Sequence, residues 1–224
     1  KITPEKVIFS LIEEEIQSHL LILYFHRVFE DMRAELFTQK VLDIYYDIDL
    51  PLAFALYNME VFGIKINSNI LGELGTQYKV EIQVLEKQIF NICGRKFNLS
   101  SPKQLGEVLF DWLKLPGGKL LRKSNSYTTN AEVLENLSDQ GFEGADLLLM
   151  WRKLNKLLNT YILPLLEKAL NGSDRIYTTF LQTSTLTARL SSVEPNLQNI
   201  PIKTPEGSKI RAAFVVNSGN KLIS

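Results

Sequence analysis

The densest concentration of hydrogen-bonding side chains lies in Thr185-Leu-Thr-Ala-Arg189-Leu-Ser-Ser192 and in Pro195-Asn-Leu-Gln-Asn-Ile-Pro201 just after it. Prolines at both ends of the second stretch exclude regular helix or an interior strand. Arg189, Asn196, Gln198 and Asn199 all carry N–H donors. Donors of this kind suit purine N3 and pyrimidine O2, the minor-groove acceptors that every base pair presents. Readout there is nearly blind to sequence but sensitive to base-pair geometry. The alternative is a loop whose Asn and Gln side chains satisfy their own backbone. Composition leaves both readings open.

Charge is distributed unevenly along a chain of zero net charge. Residues 94–123 carry 7 Lys/Arg against 2 Asp/Glu, and residues 151–224 carry 10 against 4. Residues 1–50 reverse the sign with 5 against 10, and residues 124–150 carry 5 acidic side chains and no basic one. Two basic segments in a neutral chain point to a local polyanion surface, with ordinary solvated surface as the alternative. The run Glu13-Glu-Glu15 reads as an acidic helix face rather than a metal site. His19 and His26 stand one heptad apart with no third ligand evident, which favours packing over metal binding. Cys93, the only cysteine, cannot form an internal disulfide and reads as a small buried apolar residue. Trp112 and Trp151 fall on apolar helical stripes and are expected in the core.

The elements that must position these residues are mostly helices. Residues 4–36 keep a helical spacing behind a Thr3 cap and Pro4 at the first helical position. Asp47 or Asp49 opens a second helix at Leu50-Pro51 that stops at Gly63, and Gly63-Ile-Lys-Ile-Asn67 reads as extended. A long helix spans Ser68 to Cys93. Ser101…Gln104 and Thr129…Glu132 have the form of capping boxes. Residues 145–171 read as a long helix interrupted at Pro164. Then the period changes. Arg175–Thr183 reads as a strand, Thr204-Pro-Glu opens a short helix to Arg211, and Phe214-Val-Val with Lys221-Leu-Ile reads as a hairpin. Helices before about residue 173 and strands after it make the fold class α+β. With 224 residues, 45% hydrophobic and 22% charged, the composition is globular and excludes long disorder, collagen and a disulfide scaffold. No run of about 18 apolar residues occurs, so no membrane-spanning helix is expected, and the N-terminus lacks a signal-peptide core.

The long motif T-x-T-A-R-L-S-S-x-x-P-N-L-Q-N-I-P at 185–201 resembles the signature of the family A DNA polymerases. The similarity extends over most of the chain. Leu50-Pro-Leu-Ala, Met59-Glu and Gly63-Ile-Lys-Ile resemble the entry into the thumb. Phe97–Phe110 and Thr129–Leu137 resemble its body, and Trp151-Arg-Lys-Leu through Thr160-Tyr-Ile its long helix. Glu206–Phe214 resembles the opening of the palm. The resemblance implies three parts: the end of a proofreading exonuclease domain at 1–49, a thumb at 50–172, and the start of the palm at 173–224. It implies that Arg189 reaches the minor groove at the primer terminus, and that Asn196, Gln198 and Asn199 position primer–template. Arg152 and Lys156 match basic thumb-helix positions near the DNA backbone. Ser100, Lys103 and Thr128 match the thumb tip, and Lys203 and Arg211 complete the DNA-binding set. The partners implied are primer–template duplex DNA and, for the parent enzyme, dNTP and Mg²⁺, in a monomer of bacterial cytoplasm or an organelle matrix.

Three departures from the family pattern stand out. Ala188 replaces a glycine, Leu158 replaces a lysine or polar residue of the thumb helix, and Lys203 replaces an arginine. In the family the first catalytic aspartate follows the strand that Leu222-Ile-Ser224 resembles, so no catalytic residue and no metal ligand is expected within this chain. The chain reads as truncated there and inactive alone in primer extension. A non-catalytic DNA-binding or partner-binding helical module is the rival reading.

Overall fold

A computed structural model describes residues 14–121, 126–171, 174–202, 204–217 and 219–222, with side chains from Leu21 onward. Thr3, Pro4, Glu13, Lys203 and the side chains of Glu14, Glu15 and His19 therefore lie outside the described set. The backbone divides into two units, Lys1–Val61 and Phe62–Ser224. The expected 172/173 boundary falls inside the second.

The first unit is helical. Helix α1 (Glu14–Thr38) is followed by α2 (Leu42–Ile44), a π turn (Tyr45–Asp49) and α3 (Leu50–Phe62). The expected fresh start at Leu50-Pro51 is not there. The π turn carries the helix through, and the N–H of Leu50 bonds the Tyr45 carbonyl. Helix α3 ends where expected, at Gly63 with φ +61°. A Cβ there would lie 2.8 Å from the Ile176 carbonyl oxygen, so glycine meets both a left-handed turn and a close approach.

The second unit hangs a helical bundle on a small antiparallel sheet. Strand β1 (Ile64–Ile66) is central, with β4 (Arg175–Ile176) on one side and β7 (Phe214–Val215) on the other. The register pairs Ile64 with Ile176 and Ile66 with Phe214. Ile66 and Ile176 are buried and anchor the sheet in the core. Within the second unit, Arg175 donates from Nη1 to the Phe62 carbonyl at 2.7 Å and its guanidinium lies over the Phe62 ring. The two ends of the bundle meet at this sheet. The Ile66 N–H bonds the Asp174 carbonyl at 2.8 Å, and Ser68 Oγ donates to Asp174 Oδ1 at 3.1 Å.

Between β1 and β4 run α4 (Ser68–Cys93), α5 (Pro102–Gly106) with a π turn (Glu107–Trp112), a two-stranded ribbon of β2 (Leu120–Leu121) and β3 (Ser126–Tyr127), and three further helices. These are α6 (Ala131–Asp139), α7 (Glu143–Leu157) and, after a π turn (Leu158–Ile162), α8 (Leu163–Asn171). Helix α4 begins where Asn67 accepts the N–H groups of Asn69 and Ile70 and ends at Gly94, φ +70°. Its buried stripe of Leu71, Leu74, Tyr78, Ile82 and Ile89 packs against α7 and α8. Cys93 is buried as expected, and that burial pushes its thiol pKa up.

Four local expectations change. Pro164 does not interrupt the long helix. The π turn just before it passes bonding to the i+5 pattern, Leu163 N–H to the Leu158 carbonyl, and relaxes the turn that a proline ring would crowd. The cap of α6 is Asn130, which accepts the Val133 N–H, rather than Thr129. The Arg175–Thr183 strand is two strands in different sheets, β4 and β5 (Thr179–Leu181), parted where Thr178 Oγ1 turns to bond the Val193 and Pro195 carbonyls. Finally, Phe214–Val215 pairs with β1, while Ser218 and Ile223 of the expected hairpin lie outside the described residues.

Trp151 is in the core and donates its indole N–H to Glu86 at 3.1 Å. Trp112 is not in the core: it is 59% exposed at the end of a π turn, with the Arg95 guanidinium over its ring. Among the described residues no helix is long and apolar enough to cross a membrane.

Candidate nucleic-acid interface

The polar stretch at 185–201 is a braced loop. Strands β5 and β6 (Ser191–Val193) pair antiparallel, with Thr179 opposite Val193 and Leu181 opposite Ser191. The hairpin between them is closed by Thr185, whose hydroxyl donates to the Arg189 carbonyl at 2.7 Å and accepts the Arg189 N–H at 3.1 Å. Inside that closure Ala188 has φ +56°, the left-handed conformation that a glycine would adopt without strain. The backbone of Arg189 is thus fixed while its side chain stands exposed.

The second half of the loop is pinned from three sides. Ser192, fully buried, accepts the Leu197 N–H on its hydroxyl at 3.0 Å. Tyr161, carried by the π turn after α7, donates its hydroxyl to the Asn199 carbonyl at 2.6 Å. Helix α9 (Pro205–Arg211), capped by Thr204, brings Gly207 so close to Pro201 that a Cβ would lie 2.3 Å from the Pro201 carbonyl oxygen. Asn196 does satisfy its own backbone, accepting the N–H groups of Gln198 and Asn199 on Oδ1 at 3.1 Å each. That bond spends the carbonyl side of its amide and leaves the Nδ2 donors. The side chains of Arg189, Gln198 and Asn199 are exposed and have no partner among the described residues. The loop thus satisfies its own backbone through the Asn196 carbonyl oxygen and leaves the Arg189, Gln198 and Asn199 side chains exposed.

A second polar surface lies against α7. An open groove of about 590 Å³ is lined by Ser100, Thr128, Asn155 and Lys156, with Arg152 and Thr129 in its wall. The structure brings four of the expected residues together here: Ser100, Thr128, Arg152 and Lys156. Lys156, on the last turn of α7, is exposed. Arg152 is half-buried, and its guanidinium donates to the Thr129 carbonyl and to Thr129 Oγ1. Burial lowers its pKa. Lys103 is exposed on α5 but does not line this groove, and Arg211 is half-buried at the end of α9. Lys203 lies outside the described residues.

Three residues around the 185–201 loop carry no local signal of where their polar groups go. Lys153 pairs with Glu206 at 2.7 Å and ties α7 to α9. That ammonium, as hydrogen-bond donor, holds the Glu206 carboxyl below the usual carboxylate range. Tyr78, buried beside Glu206, has its phenol pushed up to about 12, first by burial and then by the facing carboxylate. Tyr161 is the third. Its position in an apolar helical stripe signals burial, and nothing local signals where its hydroxyl goes.

Comparisons with known proteins bear on the family of the chain. The sequence model of "DNA polymerase family A" matches residues 68–224. DNA polymerase I of Lactococcus lactis subsp. cremoris is 40% identical over 198 residues, 88% of this chain and 22% of that protein. DNA polymerase I of Geobacillus stearothermophilus is 44% identical over 178 residues, 79% of this chain and 20% of that protein. The chain spans about a fifth of the length of these relatives. Among solved structures, the POL domain of Pol1 from M. smegmatis, in complex with DNA primer-template and dNTP, superposes with a TM-score of 0.78 at 38% identity. That similarity covers 85% of this chain and 33% of the solved one.

Proposed function

Because the chain belongs to DNA polymerase family A, we propose that it is the segment of a template-directed DNA polymerase that grips primer–template duplex. The observation that carries this reading is the braced 185–201 loop, which fixes its backbone and leaves the Arg189, Asn196, Gln198 and Asn199 donors facing outward. These donors engage minor-groove acceptors at the primer end, Arg189 nearest the terminus. Ser100, Thr128 and Lys156 meet the phosphate backbone in the groove on α7, and Lys103, Lys203 and Arg211 extend the basic surface. Such contacts supply affinity without sequence preference. The binding of primer-template and dNTP by the similar Pol1 domain supports both partners.

The parent reaction is dNTP addition to a primer 3′-OH, with residues 50–172 as thumb, 173–224 as the start of the palm, and 1–49 as the end of an exonuclease domain. Divalent metal, Mg²⁺ in this reading, supplies charge stabilisation for phosphoryl transfer when bound. Among the described residues no three His, Cys, Asp or Glu side chains come together to hold it. In this reading its ligands lie outside this chain, which alone does not extend a primer. The parent works as a monomer in a bacterial cytoplasm, the compartment favoured by relatives that are bacterial proteins.

The test is fluorescence anisotropy of a labelled primer–template duplex titrated with the chain across a salt series. Affinity should fall steeply with salt and be equal for unrelated sequences. Lys156→Ala should lower the slope of log K against log salt by about 0.9, the value of one phosphate contact. Binding that ignores salt would overturn the phosphate-groove reading.

A further inference from the structure

Helix α7 holds the 185–201 loop at two points, one direct and one through α9. Just past its end, the Tyr161 hydroxyl donates to the Asn199 carbonyl at 2.6 Å. Further back along the helix, Lys153 Nζ stands 2.7 Å from Glu206 Oε2 on the first turn of α9. Glu206 is followed by Gly207, the residue packed against the Pro201 carbonyl. The contacts therefore close a circuit. It runs from α7 to α9 through the ion pair, from α9 to the loop at Pro201, and from the loop back to α7 at Asn199. Lys153 does not line the groove that holds Ser100, Thr128 and Lys156. Its pair with Glu206 is 37% exposed on the lysine side and 20% on the other, so it contributes only modestly to stability. Its place in the circuit gives it a second use. Contacts at Lys156 and at Arg189 engage one stiff duplex, and both lose value if the two surfaces must first be brought into register.

We propose that Lys153 is a positioning residue: its ion pair with Glu206 holds the 185–201 loop in register with α7, so that the minor-groove donors and the phosphate groove meet one duplex together. This role rests on the reading of both surfaces as DNA contacts. With the register fixed before binding, each contact is made at its full value. Without the pair, the chain can engage the duplex by one surface while the other drifts, and each surface then contributes less. Tyr161 supplies the second bond of the same brace, at Asn199. Two lysines three residues apart on α7 thus have different tasks: Lys156 meets phosphate, and Lys153 sets where the loop stands.

The experiment measures duplex DNA anisotropy over a salt series for the 224-residue chain carrying Lys153→Met, Lys153→Arg, Glu206→Met or the Lys153→Met/Glu206→Met pair. Lys153→Met and Glu206→Met should each weaken binding about two- to fivefold, and the pair no further. Lys153→Arg should retain affinity, and the salt slope should stay unchanged in all four. Lys156→Ala and Arg189→Ala should each cost less affinity in the Lys153→Met background than in the wild type, which an ion pair serving stability alone does not produce. A direct phosphate contact by Lys153 gives a different pattern. Lys153→Met then lowers the slope by about 0.9, while Glu206→Met removes a competing carboxylate and leaves binding equal or tighter. That pattern overturns the proposal, and so do unchanged costs of Lys156→Ala and Arg189→Ala. If neither of those two variants weakens binding in the wild type, the surfaces are not the DNA site and the functional reading fails by itself. The brace is then judged by amide hydrogen exchange at Gly207 and Ser208, whose N–H groups bond Thr204 at the start of α9. Lys153→Met should raise exchange there, and unchanged exchange overturns the proposal. Thermal melts identify any variant that fails to fold, and in that case the other single variant decides on the same readouts.

Discussion

Replacing Gly207 with alanine should loosen the 185–201 loop, and the sign of the effect is decided by two opposing terms. In a helix, alanine is preferred over glycine by up to about 1 kcal/mol. Against that, a Cβ at Gly207 would lie 2.3 Å from the Pro201 carbonyl oxygen and 2.8 Å from its carbonyl carbon. Carbon–oxygen contacts settle near 3.3–3.6 Å, so helix α9 and the loop must part by roughly 1 Å. The obstructing atoms are backbone, so no side-chain rotation relieves the clash. Overpacking costs about 1–3 kcal/mol, and a clash with backbone falls in the upper part of that range at about 2–3, which leaves a net loss of about 1–2 kcal/mol after a helix-propensity gain of about 1. For a chain of this size that corresponds to a drop in Tm of about 2–8 °C, measurable by circular dichroism or calorimetry. Gly72→Ala is the control. It lies in α4 with nothing within 4 Å of a Cβ, so only the propensity term acts and Tm should rise. A Gly207→Ala chain that melts at or above the wild type, alongside a raised Gly72→Ala, would refute the close approach of α9 to Pro201.

Three further outcomes are expected. Ala188→Gly should stabilise the chain by about 0.5–1 kcal/mol and so raise Tm slightly, because relief of the +56° φ outweighs the added freedom of the unfolded chain; a lower Tm would argue against the left-handed turn. Glu206 has a depressed carboxyl pKa, so its stabilisation is present above the unfolded value of about 4.3 and is lost as pH falls through the folded one. Lys153→Ala should therefore lower Tm most at neutral pH, by the modest amount a partly exposed pair contributes, and flatten the acid limb so that the two curves converge as pH falls through the folded value; an unaltered acid limb would remove the ion pair from the account. In a complete polymerase carrying this segment, Arg189→Ala should slow extension of a matched primer end about 30- to 150-fold. The loss should shrink when the terminal purine lacks its N3 acceptor, and steady-state kinetics with a 3-deaza purine would detect the alternative, strict additivity.

Elements fixed by local chemistry were legible in the residues alone. Helix α4 has a side-chain cap at Asn67 and a left-handed glycine at Gly94, both of which act within a few residues. The cap at Thr204 and the strain at Ala188 belong to the same class. What could not be read depends on distant partners. Thr129 and Asn130 are both competent cap types, and Asn130 caps α6 while the Thr129 oxygens accept from Arg152, a distant partner. Strand β7 finds β1, far back in the chain, in place of its sequence neighbours. The π turns insert a residue without any compositional mark, and the one that ends at Trp112 leaves an apolar-stripe residue exposed. At the interface, residue types announced the donors, but not which atoms remain available. The turn at Asn196 decides that, and it is a property of folded geometry.

The base of the helical bundle has a consequence for how the chain reaches this structure. Ile66 and Asp174 are bonded across the sheet, and Ser68 clasps the Asp174 side chain, so everything from Asn67 to Asp174 is one closed excursion from neighbouring points. Closing so long a loop before its contents are ordered is entropically costly, while the helices within it can form from short-range contacts. The bundle should thus assemble first and bring Ile64 and Ile176 within reach, and the sheet should close last when Phe214 arrives beside Ile66. The same closure makes the bundle modular. An insertion whose two ends already meet can be lengthened, shortened or exchanged at its far side without disturbing the strands that hold it.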